Sequence, residues 1–325
     1  MSNILITGVA GFLGSRLALH LQSLGHNITG IDNLSFGYME NLEGFNGKFI
    51  KDDIRNKDFH KYLDNIDFVY HFAAISSLPE CQRNPAEAYS VNVGGWMNVL
   101  ESCRRKRIWH VVLASTSAVY ENTNATEPYK ETNEVRPHLT YSLTKKHAED
   151  MAFSYHRLYG MPVTTFRFFN LYGPNQDHYR ASPPLTAYLL KCRIEGKQPI
   201  LHAQGRQKRD YVYSDDACDL LTRALKNADG AGKIINVCSG ITYSVYQLAQ
   251  LFIPGCIPEY RPAPDLWNHY EELKEGYAIY PTIVEKETNK YSVGDPSLAE
   301  KIYGWKTTTS IEDGVAAMLK DAGCQ

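Results

Sequence analysis

Three glycines near the start of the chain constrain its fold more than any other feature. Gly8, Gly11 and Gly14 follow a short apolar run that predicts a buried strand, and they lead into an apolar helix predicted over residues 12–24. A strand, a glycine-rich turn and a helix in this order aim free backbone N–H groups at one point, where the helix dipole favours a phosphate. Gly8 permits the tight turn, Gly11 lets a ligand approach the backbone, and Gly14 lets the helix pack closely on the strand. The motif predicts a dinucleotide-binding turn.

An acidic residue follows this turn at the spacing that dinucleotide-binding folds use. Asp32 ends a second apolar run, residues 27–31. A carboxylate at the tip of that strand accepts hydrogen bonds from both hydroxyls of an adenosine ribose and repels a 2′-phosphate. Residues 33–39 supply no Arg or Lys to offset the repulsion. The pattern favours NAD(H) over NADP(H), and an Asp that only caps a loop is the alternative.

Composition and charge exclude several classes of protein. The chain has 325 residues, of which 43% are hydrophobic, so it can bury a large core and form two lobes. Its 34 basic and 36 acidic residues leave no excess positive charge for binding nucleic acid. Seven cysteines without CxxC spacing predict reduced thiols in a cytoplasmic protein. We expect no signal peptide, no membrane partner and no metal, because no apolar run is long enough to span a bilayer and no metal-ligand cluster is present.

Strand and helix predictions alternate as far as about residue 170, as a parallel sheet with helices on both faces requires. Beyond Asp32, the predicted strands cover residues 48–51, 67–72, 109–115 and 163–168, and the predicted helices cover residues 85–106 and 141–159. Thr140 is a candidate N-cap for the second of these helices.

The regular alternation of predicted strands and helices does not continue after Gly173 and Pro174. We expect a dinucleotide-binding domain over residues 1–170, to which residues 210–238 return, and a smaller domain over residues 171–325. Residues 233–237 predict the late strand that rejoins the sheet. Residues 254–290 are rich in Pro, Tyr and Glu, and no element can be assigned to them from the sequence.

A phenol and an ammonium group share one face of the predicted helix 141–159. Tyr141 and Lys145 are four residues apart, so their side chains are neighbours on the helix. A free tyrosine has a pKa of about 10, which is too high for a base at neutral pH. A nearby Lys ammonium, together with a positively charged nicotinamide, would lower that pKa. Such pairs are common on surface helices, and this one gains weight from the motif upstream.

Three hydroxyl groups lie at the end of the buried strand predicted over residues 109–115. Ser115, Thr116 and Ser117 lie where that strand ends. In doubly wound sheets, ligands bind outside the carboxyl ends of the strands. A hydroxyl at this edge can hydrogen-bond a substrate oxygen and share its proton with the tyrosine. A Ser/Thr turn or helix cap is the alternative interpretation.

With these motifs in place, the chain resembles the extended short-chain dehydrogenase/reductases, in the nucleotide-sugar epimerase/dehydratase family that includes UDP-glucose and UDP-GlcNAc 4-epimerases. The matches span nearly the whole chain: residues 7–14, 32–34, 53–54, 71–74, 92–93, 115–120, Tyr141 with Lys145, 167–174 and 209–211.

The resemblance implies a Rossmann-type doubly wound parallel sheet with a smaller C-terminal α/β substrate domain. It implies NAD as cofactor and a nucleotide sugar, UDP-linked, as substrate. The residues that match the catalytic positions are Thr116, Tyr141 and Lys145. The residues that match cofactor-binding positions are Gly8, Gly11, Phe12, Leu13, Asp32, Asn33, Asp53, Ile54, Ala73, Ala74, Asn92, Tyr141, Lys145 and Phe168. The residues that match substrate-binding positions are Ser76, Ser117, Asn170, Arg209 and Ser292.

Two positions on the substrate side have alternative interpretations. By the resemblance, Asn170 and Arg209 would hold the diphosphate, and a guanidinium suits that task because it offers a charged fork of donors. An ion pair of Arg209 with Asp210 or Asp215 is the other interpretation. His71 is interpreted as a packed strand residue rather than a catalyst.

The resemblance also implies a homodimer. In this family, the helices that match residues 85–106 and 141–159 commonly pair across a two-fold axis. Apolar side chains such as Val99, Met151 and Leu158 agree with such pairing, although they could equally face the sheet.

The residues after Thr116 favour one reaction over its relatives. Family members that dehydrate the sugar carry Asp-Glu directly after the catalytic Thr, where this chain has Ser117 and Ala118. Members that decarboxylate a uronate carry Glu at the position of Ala118. The hypothesis is therefore a UDP-hexose or UDP-N-acetylhexosamine 4-epimerase that passes through a transient 4-keto sugar, with hydride stored on NAD. The alternatives are a 4-ketosugar reductase, a dehydratase, a uronate 4-epimerase or decarboxylase, a 2-epimerase, or a non-catalytic dinucleotide sensor.

Three departures from the family pattern fall on the substrate side. Glu121 follows Tyr120 where the family usually has Gly, and Ser76 with Ser77 occupies a loop where some hexose epimerases have Lys. The family's Arg-x-Gly-Asp segment is not recognisable upstream of Tyr291, and Arg261 is a candidate replacement for its Arg.

One alignment bears on the size of the sugar. Placing Asp295 on the family's Asp puts Ser292 at a position that gates the sugar pocket. A small residue at this position admits N-acetylated sugars in relatives, so Ser292 favours UDP-GlcNAc or UDP-GalNAc.

Overall fold

The computed structural model describes residues 1–121, 127–268, 271–274 and 278–324. In these ranges the strands are β1 Asn3–Thr7, β2 Asn27–Asp32, β3 Lys48–Lys51, β4 Phe68–His71, β5 His110–Thr116, β6 Val163–Phe168, β7 Asn170–Tyr172, β8 Ile200–His202, β9 Lys208–Tyr213, β10 Ile234–Val237, β11 Thr242–Ser244 and β12 Glu259–Arg261. The α-helices of the same ranges are α1 Phe12–Ser23, α2 Leu78–Arg83, α3 Pro85–Tyr89, α4 Trp96–Lys106, α5 Thr140–Tyr159, α6 Leu185–Glu195, α7 Ser214–Lys226, α8 Val245–Phe252, α9 Pro281–Asn289, α10 Ser297–Tyr303 and α11 Ile311–Asp321.

A parallel sheet organises the described part of the chain. Seven strands pair in the order β10-β6-β5-β4-β1-β2-β3, and every pairing is parallel. The order reverses beside β1, which creates the crevice in which doubly wound folds bind ligands. β10 forms one edge of the sheet, so a strand does return late in the chain to the sheet where the sequence predicts it. This is the Rossmann-type α/β fold expected from the sequence.

Two smaller sheets lie beyond the large one. β9 pairs with β7 and β11, and β12 pairs with β8. A separate apolar cluster covers these strands with side chains of α6, α8 and α11, including Leu189, Leu248 and Met318. The C-terminal part of the chain therefore has a core of its own. The division of the chain at residue 170 stays a prediction.

Both faces of the large sheet are covered by helices, as its apolar strands require. On one face, Leu17 and Leu21 of α1 share a cluster with Leu220 and Leu221 of α7. On the other face, side chains of α4 and α5 pack together with strand residues such as Leu5. Helix α5 therefore lies directly on the sheet beside β5 and β6.

A buried ion pair ties α5 to two strands. Glu149 of α5 and Arg167 of β6 are joined by two bonds of 2.8 and 2.7 Å, and their side chains are 1% and 3% exposed. Ser115 of β5 donates to the same carboxylate at 2.6 Å, and the guanidinium donates to the Tyr120 hydroxyl at 2.8 Å. Hydrogen bonds to neutral groups further compensate the burial of these two charges.

Some predictions about the helices need correction. The helix predicted over residues 85–106 contains a π-helical stretch, Ser90–Gly95, between α3 and α4. Thr140 is not an N-cap: it is the first residue of α5, and its hydroxyl donates to Gln82 at 3.0 Å. Val99 is fully buried and Met151 packs against the same apolar cluster, so both face the sheet. Leu158 is exposed.

Six of the seven cysteines are buried as free thiols, and Cys324 is partly exposed. Burial raises the pKa of the Cys218 thiol to about 12 and raises that of Cys103 further. These thiols are protonated packing residues at neutral pH. No helix in the described ranges is both long and apolar enough to cross a bilayer.

We predict that Gly14→Ala destabilises the fold. A Cβ atom at residue 14 would lie 2.1 Å from the Gly8 carbonyl oxygen, in the turn between β1 and α1. Backbone atoms cannot give way as a flexible side chain can, so we expect a loss of about 1–3 kcal/mol in the free energy of unfolding. The measurement is urea unfolding followed by circular dichroism.

Gly94→Ala is the matched control. A Cβ atom at Gly94 would meet its nearest neighbour, the Tyr89 carbonyl oxygen, only at 3.9 Å. Its stability should equal or slightly exceed that of the unaltered chain, since Ala is the better helix former. Equal stability of the two variants would show that α1 does not need the close approach.

Candidate active site

A cavity of about 1500 Å³ opens at the carboxyl edge of the large sheet. Its wall is formed by the ends of β1, β2, β4, β5 and β6 and, on the far side, by residues of the C-terminal part. Every residue predicted to bind cofactor or substrate or to act in catalysis lines this cavity, with Asn92 as the exception. The structure therefore brings residues that are far apart in the sequence to one place.

The glycine-rich turn forms one end of the cavity. Gly8 has φ +73°, in the left-handed region that favours glycine, and its N–H donates to the Ile31 carbonyl at 2.8 Å. A Cβ atom at Gly8 would lie 2.7 Å from the Ala73 nitrogen. Within the described residues, no side chain caps α1 and no acidic residue lies in its first turn. The backbone N–H groups of Phe12 and Leu13, at the start of α1, are therefore suited to binding a diphosphate.

Asp32 lies at the end of β2 and is 8% exposed. One carboxylate oxygen accepts from the Ala10 N–H at 3.0 Å, and the other accepts from the Leu34 N–H at 2.8 Å. Burial raises the pKa of Asp32, and these two bonds oppose that effect. Both oxygens are thereby fixed in orientation, as binding of a ribose diol requires.

Asp53 and Asn33 line the adjoining wall and are joined by a bond of 3.0 Å. Arg55 holds Asp53 through three hydrogen bonds and lowers its pKa to about 2. The same guanidinium donates to Glu87 at 2.8 Å. Sequence reasoning missed Arg55, a cation at this end of the cavity, but its charge is matched by the two carboxylates.

The predicted catalytic residues meet at the end of β5. The Thr116 hydroxyl is a neighbour of the Tyr141 phenol and lowers its pKa. The Thr116 oxygen also accepts from the Ala118 N–H at 3.1 Å, which fixes the rotamer of this side chain. The ammonium of Lys145 donates to the Ala114 carbonyl at 2.9 Å. Two hydroxyls and an ammonium therefore line the same cavity.

The pKa of Tyr141 does not move in the direction that the sequence predicts. Burial raises the pKa of Tyr141 to about 12, whereas the neighbouring Thr116 hydroxyl and the charge of Arg180 act in the opposite direction. Burial also lowers the pKa of Lys145 to about 8. Desolvation is therefore the larger effect for both groups in the protein alone.

Arg209 lies at the cavity, but its guanidinium is engaged elsewhere. Its two terminal nitrogens donate to the backbone carbonyls of Glu287 at 2.9 Å, Thr288 at 3.1 Å, Lys208 at 3.0 Å and Lys290. Three of these carbonyls belong to the C-terminal end of α9 and the residue after it. Arg209 therefore holds the end of this helix.

The alternative ion pairs of Arg209 are not formed among the described residues. Asp215 pairs with Arg16 instead. Asp210 accepts from the backbone N–H groups of Ser239 and Gly240, at 2.8 and 2.9 Å.

Two other predicted substrate residues lie beside Arg209. Asn170 donates to the Asp210 carbonyl at 2.8 Å. Ser292 forms a β-bridge with Arg209 and is 3% exposed.

Asn92 and His71 lie behind the cavity wall. The Asn92 amide pairs with the backbone of Ile75 at 2.8 and 3.0 Å and donates to Thr144 at 3.1 Å, so it holds the loop after β4 in place. His71 shares a hydrogen bond of 2.9 Å with Thr7, and burial lowers its pKa to about 3. The interpretation of His71 as a packed residue is confirmed.

Residues 254–290, for which the sequence predicts no element, supply part of the wall. β12, a 3₁₀ helix Ala263–Trp267 and α9 lie in this stretch. Arg261, Trp267 and Thr288 line the cavity, as does Arg180 from the loop before α6. Among the described residues, no three His, Cys, Asp or Glu side chains are placed to hold a metal ion.

The comparisons with known proteins agree with this geometry. The model of the NAD dependent epimerase/dehydratase family matches residues 4–238. A UDP-glucuronate 4-epimerase of Thermodesulfobacterium geofontis is 30% identical over 97% of this chain and 94% of its own length.

Two solved structures have the same architecture. The UDP-glucose 4-epimerase of Thermotoga maritima, solved with UDP-glucose, has a TM-score of 0.88 and 26% identity, covering 99% of this chain and 98% of its own. The UDP-glucose 4-epimerase of Thermus thermophilus, solved with NAD, has a TM-score of 0.82 and 26% identity, covering 98% of both chains. Motifs, fold and site geometry lead to one conclusion: the chain belongs to the NAD-dependent epimerase/dehydratase family.

Proposed function

We propose that this protein is an NAD-dependent UDP-hexose or UDP-N-acetylhexosamine 4-epimerase. The observation that carries the proposal is that Thr116, Tyr141 and Lys145 line one cavity with the glycine-rich turn and Asp32. When bound, NAD⁺ supplies a hydride acceptor for sugar C4 and places a positive charge beside the phenol. The family to which the chain belongs and the NAD-bound relative support this cofactor.

The chain's own groups manage the proton and the oxygen at C4. Tyr141 takes the proton of the 4-hydroxyl as a base and returns it as an acid. Thr116 orients the 4-oxygen, and the Lys145 ammonium favours the phenolate form of Tyr141. Tyr141 and Lys145 are 9% and 6% exposed, so both groups are largely shielded from bulk water.

The residues after Thr116 support epimerisation over elimination or decarboxylation. Ser117 and Ala118 carry no carboxylate to act as a second acid or base. The nearest thiol, Cys81, packs in one cluster with Tyr141 and has its pKa raised to about 12 by burial. A simple removal and return of hydrogen at one carbon needs neither group.

We assign the substrate end of the cavity to the nucleotide diphosphate. Asn170 and Arg261 line it, and a guanidinium suits phosphate oxygens. Arg209 lines the same end, but its terminal nitrogens are held by the carbonyls at the end of α9. The relatives act on UDP-glucose and UDP-glucuronate by name, which supports a UDP-linked sugar. The small side chain of Ser292 supports an N-acetylated hexose.

A homodimer accompanies this proposal. Met97 of α4 and Phe153 and Leu158 of α5 are 41%, 42% and 72% exposed, so apolar surface lies on the outer side of both helices. Pairing of the two helices with those of a second copy would bury it. A cytoplasmic location stays a prediction.

We predict that Tyr141→Phe lowers kcat by at least about 100-fold, since it removes the proton-transfer group. The assay incubates the protein with UDP-glucose, UDP-GlcNAc or UDP-glucuronate and follows the sugars by NMR. Tyr155→Phe is the control, because Tyr155 also lies on α5 but donates to Glu101 at 3.2 Å, away from the cavity. A 4-keto, pentose or unsaturated product without inversion at C4 would reject the proposal. Stoichiometric consumption of added NAD(P)H would indicate a reductase instead.

A second prediction concerns the sugar pocket. Ser292→Tyr should abolish activity on UDP-GlcNAc and leave activity on UDP-glucose within about threefold, since the phenol would fill the space of the acetamido group. Ser292→Ala, which keeps the pocket open, should retain both activities. The measurement is kcat/KM for each sugar, and an equal loss on both would count against a size gate.

A further inference from the structure

Glu121 occupies a position where the family resemblance has Gly, and its carboxylate is inside the protein. The side chain follows the turn Ser117–Tyr120 after β5, and the residue is 6% exposed. One carboxylate oxygen accepts from the backbone N–H of Leu139 at 2.8 Å and from that of His138. These two residues immediately precede α5, in which Tyr141 is the second residue.

Another departure from the family pattern, in residues 254–290, contacts the same segment before α5. Leu139 is 3% exposed and packs in one apolar cluster with Trp267 and Val284. Both partners belong to residues 254–290, the stretch in which the family's Arg-x-Gly-Asp segment is not recognisable. The side chain of Leu139 is therefore held by Trp267 and Val284 while its N–H is held by Glu121.

A third contact completes the hold on this backbone. The amide oxygen of Gln82, on α2, accepts from the Thr140 N–H at 3.2 Å and from the Thr140 hydroxyl at 3.0 Å. Residues 138–140 are thus fixed from three sides just before Tyr141. Glu121 directly follows the turn Ser117–Tyr120, which begins after Thr116. Its carboxylate therefore connects the segment that carries Thr116 with the start of α5, which carries Tyr141.

We infer that Glu121 is a positioning residue for Tyr141: its carboxylate fixes the entry of α5 against the turn that follows Thr116. The inference rests on the proposed function. It explains why a buried carboxylate occurs next to the site without lining the cavity. A catalytic group placed wrongly by about 1 Å can lose about two orders of magnitude in rate, so such a hold has a kinetic consequence.

Charged groups around both residues set the expected pH behaviour. Glu287 and Lys290 face Glu121 from the end of α9, and the two are paired at 2.6 Å. Cys81 and Arg180 face Tyr141, and the neighbouring Thr116 hydroxyl lowers its pKa. Moving the phenol away from Thr116 raises the pKa of Tyr141, so the acid limb of the kcat profile should move to higher pH.

The test compares Glu121→Ala with Glu121→Gln, which keeps an acceptor oxygen. We expect Glu121→Ala to lower kcat at least about 10-fold, to move the acid limb to higher pH and to leave KM and NAD content within about twofold. Glu121→Gln should restore kcat to within about threefold. Val284→Ala, which trims the support of Leu139 outside the cavity, should act in the same direction if Glu121→Ala does not fold.

Glu131→Ala is the matched control, because Glu131 also accepts a backbone N–H, that of Asn236 on β10, at 2.8 Å. It should lower stability and leave the pH profile unchanged. Two outcomes would overturn the inference. One is an unchanged kcat and pH profile in Glu121→Ala. The other is a change of kcat, KM and NAD content in Glu121→Ala that equals the change in Glu131→Ala.

Failure of the proposed function is recognised separately. If the unaltered chain inverts no sugar, the epimerase proposal fails and the kinetic part of the inference fails with it. Amide hydrogen exchange of residues 138–145, measured on the same variants, reports the hold of Glu121 itself. Faster exchange in Glu121→Ala than in Glu131→Ala supports the hold, and equal exchange refutes it.

Discussion

The contact on which the site depends is the buried ion pair between Glu149 and Arg167. It joins α5 to β6, and through Ser115 it reaches β5, the strand that ends at Thr116. Lys145 lies one helical turn before Glu149, so the anchor and the catalytic face belong to the same side of α5. Removing one partner would leave a charge inside the core, which is costly because water cannot replace the lost bonds.

Features encoded by a few neighbouring residues were predicted from the sequence. The turn at Gly8 needs a left-handed backbone that glycine supplies, and Asp32 follows at a distance set by one helix and one strand. The hydroxyl of Thr116 is expected at the carboxyl edge of the sheet, where doubly wound folds bind ligands. The role of Tyr141 beside it is implied by the family resemblance. The late strand, predicted over residues 233–237, follows from an apolar run that suits a strand returning to the sheet, and β10 covers residues 234–237.

The features that could not be predicted from the sequence depend on packing between distant segments. The pKa of Tyr141 depends on how completely the phenol is desolvated, and no local pattern reports that. The terminal nitrogens of Arg209 are taken by carbonyls some eighty residues later in the chain, at the end of α9. The departure at Glu121 was visible, but its partners, the N–H groups before α5, are defined only once the chain is folded. Thr140 was misassigned for a similar reason, since its hydroxyl finds Gln82 rather than its own helix.

Alkylation of the buried thiols can report when each part of the protein unfolds. Cys103 lies in the core under the large sheet and Cys256 in the core of the C-terminal part, so alkylating reagents reach them only when the respective region comes apart. Cys324, near the end of the chain, is partly exposed in the folded protein, so its labelling serves as a reference that needs no unfolding. The order in which the first two become labelled therefore distinguishes concerted loss of both cores from sequential loss.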